Sequence, residues 1–169
     1  MQKNYILIGM PGSGKTTLGK RLAQEMKMKF LDFDDDIIEK GEQQSVEELL
    51  RELWEKAFLE LEENLALEIE LKNTVLSTSG SLPLSSRAML HLSQFGDIVY
   101  IKAPIEEIEA RIDSMRIERI VGFPERTLEE LLIERERFYD EIAEVIFEYE
   151  GNDMEQIYQD FKKTLWLTA

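Results

Sequence analysis

The chain has 169 residues, 43% of them hydrophobic, and 35 acidic against 20 basic side chains give a formal charge of −15. That size and apolar content fit one α/β domain with a sizeable core rather than two domains. The acidic surplus argues against a phosphate-bearing polymer as partner, and the lack of cysteine excludes a disulfide framework, a cysteine metal site and a thiol nucleophile. No apolar run approaches bilayer length, so a cytoplasmic monomer acting on a small molecule is expected, with no membrane or nucleic-acid partner.

In chain order, the apolar run Tyr5-Ile6-Leu7-Ile8 reads as a strand and leads directly into Gly9-Met10-Pro11-Gly12-Ser13-Gly14-Lys15-Thr16-Thr17. This stretch matches the phosphate-binding pattern GxxxxGK[ST] in its required strand-to-helix context. Gly12 and Gly14 let backbone N–H groups of the loop, Ser13 and Thr17 included, converge on a phosphate without Cβ atoms in the way. Lys15 is placed to bring an ammonium to the β- and γ-phosphates, and Thr16 to offer its hydroxyl to Mg²⁺, at the positive end of the following helix. ATP and Mg²⁺ are the expected cofactors. That helix runs from about Lys15 to Met26, with Leu18, Leu22 and Met26 four residues apart.

A second strand near Phe30 to Phe33 ends in Asp32-Phe33-Asp34-Asp35-Asp36. Period-two geometry puts Asp32 and Asp34 on one side, where one can help position Mg²⁺ and the other can accept a proton from an acceptor hydroxyl. Asp35 and Asp36 are expected to cap a helix from about Asp36 to Lys40. A long acidic helix is expected from Ser45 to Leu71, with Ser45 and Glu48 forming a capping box and Asn73 breaking the pattern. Residues 36–71 are then a helical region covering the substrate.

Val75-Leu76 and Ile98-Val99-Tyr100-Ile101 read as further strands around a helix from Leu84 to Leu92, and Val145 to Tyr149 as another. The lone His91 has no partner by spacing and is read as structural or exposed, while Trp54 and Trp166 are read as core or interface. Residues 112–127 are the candidate lid, because Arg116 to Thr127 lacks an apolar stripe and carries Gly122, Pro124 and three arginines. Arg111, Arg116, Arg119, Arg126 and Arg135 cluster around it. The alternation of β and α makes residues 1–169 a single three-layer α/β domain, a five-stranded mostly parallel sheet with helices on both faces. With the phosphate-binding loop, the expected architecture is a P-loop NTPase fold of the nucleoside-monophosphate-kinase-like kind.

Taken with the Thr78-Ser79-Gly80-Ser81 turn and the Arg135 to Tyr139 stretch, these motifs resemble the shikimate kinase family over roughly residues 3 to 150. The resemblance implies that Asp32 helps hold Mg²⁺, Asp34 binds substrate hydroxyls and Arg135 binds a substrate carboxylate. It implies that Arg111 lies beside the adenine, that Arg119 is the lid arginine and that Gly80 approaches the substrate. Lys15, Asp34 and Arg119 are then the expected catalytic set. Phe58 and Glu62 match the first and last residues of that family's F-R-x-x-E segment, but Leu59 stands where its carboxylate-binding arginine belongs. Ser79 and Ser81 replace two glycines of the turn, and Arg119-Ile120-Val121-Gly122 replaces R-P-L-L in the lid. The charge-assisted hydrogen bond that Leu59 cannot make is worth about 1.5 to 3 kcal/mol. Phosphorylation of shikimate is therefore the first expectation, with a different small acceptor, or a nucleotide-binding module that has lost catalysis, as the alternatives.

Overall fold

The computed structural model of the chain describes residues 3–167, so the ends of the expected 1–169 domain lie outside the described residues. Five strands, β1 (Asn4–Ile8), β2 (Lys29–Asp32), β3 (Thr74–Ser77), β4 (Gly96–Lys102) and β5 (Val145–Glu148), form one sheet in the order β2-β3-β1-β4-β5. All four pairings are parallel, with Tyr5 opposite Val75 and Asp97 at the start of the central strand. A parallel strand covered on both faces needs a continuous apolar run rather than alternation, and β1 is buried at all five positions.

The helices are α1 (Lys15–Met26), α2 (Lys40–Glu42), α3 (Val46–Glu52), α4 (Glu55–Leu67), α5 (Ser86–Ser93), α6 (Ile105–Ala110), α7 (Leu128–Ile142) and α8 (Met154–Leu167). They cover both faces of the sheet, with α1 against β2 and β3, α5 and α7 against β4, and α8 against β5. Tyr158 of α8 donates to Glu25 of α1 at 2.8 Å, tying these two helices together. Gly19 lets α1 lie close on the sheet, since a Cβ there would stand 2.9 Å from both Leu7 and Phe30 side chains. The starts of three strands are joined by the buried Asn4 amide. It donates to Leu71 O at 3.2 Å and Phe95 O at 2.8 Å and accepts from Thr74 N at 2.8 Å.

Two helical expectations are corrected. The strand β2 stops at Asp32, whose carboxylate accepts from the amides of Asp34 and Asp35 and starts a π-helical stretch, Phe33–Glu39. Asp32 is thus the cap, in place of Asp35 and Asp36. Asp36 instead reaches back to Asp32 N at 2.9 Å and pairs with Lys40. The long helix over residues 45–71 is two helices, because Leu53 and Trp54 adopt extended backbone between α3 and α4. The break lets Val46 and Leu49 bury on one line while Phe58, Glu62 and Ala66 turn inward on another. Trp54, at the break, is 88% exposed, and Trp166 is also exposed, so neither belongs to the core. The expected capping box at Ser45 and Glu48 is present, and a second one joins Thr127 and Glu130 at the start of α7.

Candidate active site

The loop between β1 and α1 owes its shape to glycine. Gly9, Gly12 and Gly14 have φ of +146°, +77° and +97°, and a Cβ on Gly12 would meet the Met115 sulfur at 2.4 Å. No side chain caps α1, whose N-cap is Gly14 itself, so the first-turn amides of Lys15, Thr16 and Thr17 open to an anion. The buried Lys15 ammonium donates to Gly9 O and Met10 O, both at 2.8 Å. Burial lowers its pKa to about 8, with the carboxylates of Asp34 and Asp32 opposing the fall. The Ser13 hydroxyl is buried inside the loop and makes no hydrogen bond.

Two hollows flank this loop. On one side a space of about 320 Å³ is walled by Gly12, Gly14, Thr17, Arg111 and Met154. Arg111 donates to Gly12 O at 2.7 Å and to the Tyr149 hydroxyl at 3.0 Å, and that hydroxyl in turn donates to Ser13 O at 2.8 Å. Tyr149 thus fixes both the loop and the arginine, a role no sequence motif announced.

On the other side a second cleft, also about 320 Å³, brings together Lys15, Thr16, Asp32, Asp34, Glu62 and Arg135. Thr16 Oγ1 donates to Asp32 Oδ2 at 3.1 Å and lies 3.3 Å from the Ser77 hydroxyl, which sequence reading passed over. A carboxylate flanked by hydroxyls is an oxygen donor set that fits Mg²⁺, which keeps several waters and draws other ligands from phosphates. Asp32 and Asp34 do face one cleft, although the period-two argument fails because Asp34 belongs to the π-helical stretch. Burial pushes the Asp34 carboxyl up to about 7 against the pull of Arg119 and Lys15.

The floor of this cleft is the turn after β3. Glu62, only 1% exposed, accepts from the hydroxyls of Ser79 and Ser81, the latter at 2.7 Å. Burial raises its carboxyl to about 7, while the Ser79 hydroxyl works the other way. Arg135 rests on Gly80, where an added Cβ would stand 3.1 Å from Nη1, and donates through Nη2 to Val121 O at 2.7 Å. Tyr139 donates to Gly80 O at 2.6 Å and holds the turn in place. Leu59 does not reach this cleft. It lines a hollow of about 180 Å³ on the far side of Glu62 and Ser81.

The candidate lid crosses the same cleft through Met115, Arg116, Arg119, Ile120 and Val121. Arg119 is tied to Asp35 at 2.9 Å, Glu39 at 2.7 Å and Glu47 at 3.4 Å. Arg126 stands away from the cleft and clamps the lid's far end to Glu55 and Glu134 at 2.7 and 2.8 Å. His91, as expected, is structural, its Nε2 lying 2.7 Å from Ile69 O.

Comparison with known proteins completes the description. A family model described as shikimate kinase matches residues 11–166. Shikimate kinase from Francisella tularensis subsp. novicida is 36% identical over 159 residues, 92% of this chain and 90% of that protein. Threonine synthase-like 1 from Mus musculus is 41% identical over 120 residues, 71% of this chain, which spans only 16% of that much longer protein. Among solved structures, shikimate kinase from Acinetobacter baumannii in complex with shikimate superposes with a TM-score of 0.85 at 27% identity, covering 99% of this chain and 94% of that one.

Proposed function

Because the chain belongs to the shikimate kinase family, we propose that it transfers the γ-phosphoryl group of ATP to a hydroxyl of a small acceptor, shikimate being the reference acceptor. The observation that carries this reading is a single cleft shared by Lys15 of the phosphate-binding loop and by Asp34 and Arg135.

In this reading the loop amides and Lys15 hold the β- and γ-phosphates, and Thr16 and Asp32 hold Mg²⁺, with Ser77 beside them. Bound there, Mg²⁺ offsets phosphate charge. Asp34 orients the acceptor hydroxyl and takes its proton as the new O–P bond forms and the bond from γ-phosphorus to the bridging oxygen of ADP breaks. A carboxyl held near 7 is matched to that task at neutral pH. Arg135 binds a carboxylate of the acceptor. Arg119, once released from its acidic partners, supplies charge to the transferred group. Arg111 packs beside the nucleotide base.

The test is ADP release in a coupled assay with Mg²⁺ and ATP, with shikimate and without acceptor. Acceptor-dependent release that falls by at least about a hundredfold in Asp34→Asn supports the reading, given the usual size of a general-base contribution. Release that ignores the acceptor points instead to simple hydrolysis.

A kinase of the same kind acting on a different acceptor is favoured by one specific observation. Position 59 offers leucine, facing away from the cleft, and two serines crowd the turn that touches the acceptor. The higher identity to threonine synthase-like 1 than to the Francisella shikimate kinase points the same way.

A further inference from the structure

The acceptor half of the cleft contains a buried acid, Glu62, and a buried base, Arg135, that no direct ion pair joins. Glu62 is 1% and Arg135 2% exposed. Among the described residues neither forms an ion pair within 4.0 Å, with each other or with anything else. Glu62 makes do with two hydroxyls, from Ser79 and Ser81. Arg135 donates to the Val121 carbonyl and is hydrogen-bonded to the Tyr139 hydroxyl, neither of them charged, and among the described residues its buried Nε has no partner. Buried charge is costly unless it is matched; Glu62 meets that cost by holding its proton up to about pH 7, with Arg135 opposing this only weakly, so a cationic group brought into the cleft finds its counter-charge in Glu62 and an anionic one in Arg135.

The ions are also held in a fixed relation. Arg135 lies over Gly80, and the serines that bind Glu62 flank that same glycine, so anion and cation sit on the two sides of one three-residue turn. An arginine at position 59 would neutralise Glu62 from within, but the residue there is leucine and its side chain lines the outer hollow. A carboxylate-only acceptor satisfies Arg135 and leaves Glu62 alone.

Resting on the kinase reading above, we propose that the acceptor is a small hydroxy amino acid bound as a zwitterion, its carboxylate on Arg135 and its α-ammonium on Glu62. The side-chain hydroxyl then extends toward Asp34 and the phosphate-binding loop. The serines fit this role, because their hydroxyls hold the Glu62 carboxylate toward the turn and add polar contacts where glycines offer none. The carboxyl that burial holds near 7 drops its proton once an ammonium stands beside it, which couples acceptor binding to ionisation of Glu62.

The experiment compares matched acceptors in the coupled assay with Mg²⁺ and ATP. L-homoserine is set against 4-hydroxybutyrate, L-serine against 3-hydroxypropionate, and shikimate is run beside them. The expected result is that one amino acid exceeds its deamino partner in kcat/KM by at least about tenfold, the low end for a charged hydrogen bond. In Glu62→Gln that ratio should collapse to within about threefold. Leu59→Arg, at a partly exposed position, provides a second variant. It should lower kcat/KM for the amino acid and raise it for shikimate by pairing with Glu62. Turnover of shikimate or a deamino acid with no gain from the amino group overturns the zwitterion and leaves the kinase standing. No acceptor-dependent turnover with any compound in the panel overturns both.

Discussion

At the scale of single residues, the site is made of groups kept in uncomfortable states. Lys15 is buried on two carbonyls without a carboxylate in direct contact. Lys15→Met should abolish measurable MgATP binding in titration calorimetry while leaving the unfolding temperature equal or higher, since a desolvated cation is removed. Glu62 and Asp34 give the protein a characteristic pH dependence. Both carboxyls sit near 7 in the fold, against ordinary values of 4.5 and 3.8, so the folded state retains protons that the unfolded chain has already released. Stability is therefore greatest at the acid end of this window and declines as pH rises through about 4 to 7. Glu62 alone accounts for about 3 kcal/mol of that decline at 1.36 kcal/mol per pH unit. Chemical denaturation at pH 5 and pH 7.5 checks it, since Glu62→Gln should lose a large share of the slope and an unaltered slope would sink the argument.

At the scale of elements, the fold is carried by local patterns in some places and by distant contacts in others. Asn4 belongs to the second kind, with three hydrogen bonds joining β1 to the starts of β3 and β4. Asn4→Ala leaves an amide and two carbonyls buried without partners and should cost at least about 3 kcal/mol in urea denaturation, at about 1 to 3 kcal/mol per orphaned group. Arg126 likewise joins the lid to α4 and α7. Arg126→Ala should speed proteolytic cleavage within residues 116–127 without altering overall stability by more than about 1 kcal/mol, the usual limit for exposed pairs.

These cases also mark what can be read from sequence. The phosphate-binding loop, the apolar strands and the Ser45 capping box are legible because their causes lie within a few residues of each other. The break at Leu53 is not, since no glycine or proline marks it and the reason is the separate burial of α3 and α4. Ser77, Tyr149 and the outward direction of Leu59 are equally silent, because each gains its meaning from a partner far away in the chain. Arg126 and Arg119 look alike in sequence and differ only in which acidic residues the fold brings to them.

For the molecule as a whole, a formal charge of −15 surrounds a site that is expected to bind an anionic nucleotide. Long-range repulsion slows the approach of MgATP, while the cations of the cleft act only at short range. Adding salt from 20 to 150 mM should therefore lower the KM for MgATP modestly, about two- to threefold, as the Debye length shrinks from about 20 Å to 8 Å. A KM that rises with salt would mean that local cations dominate even at a distance.

The Tyr149 hydroxyl, which reaches Ser13 and Arg111 from the far end of the sheet, also sets a timetable. The residue that steadies the loop emerges from the ribosome 136 residues after Ser13. A nascent chain halted before that tyrosine carries the complete nucleotide motif without its brace. The brace on the loop thus comes late in synthesis, after the residues that line the cleft have all been made.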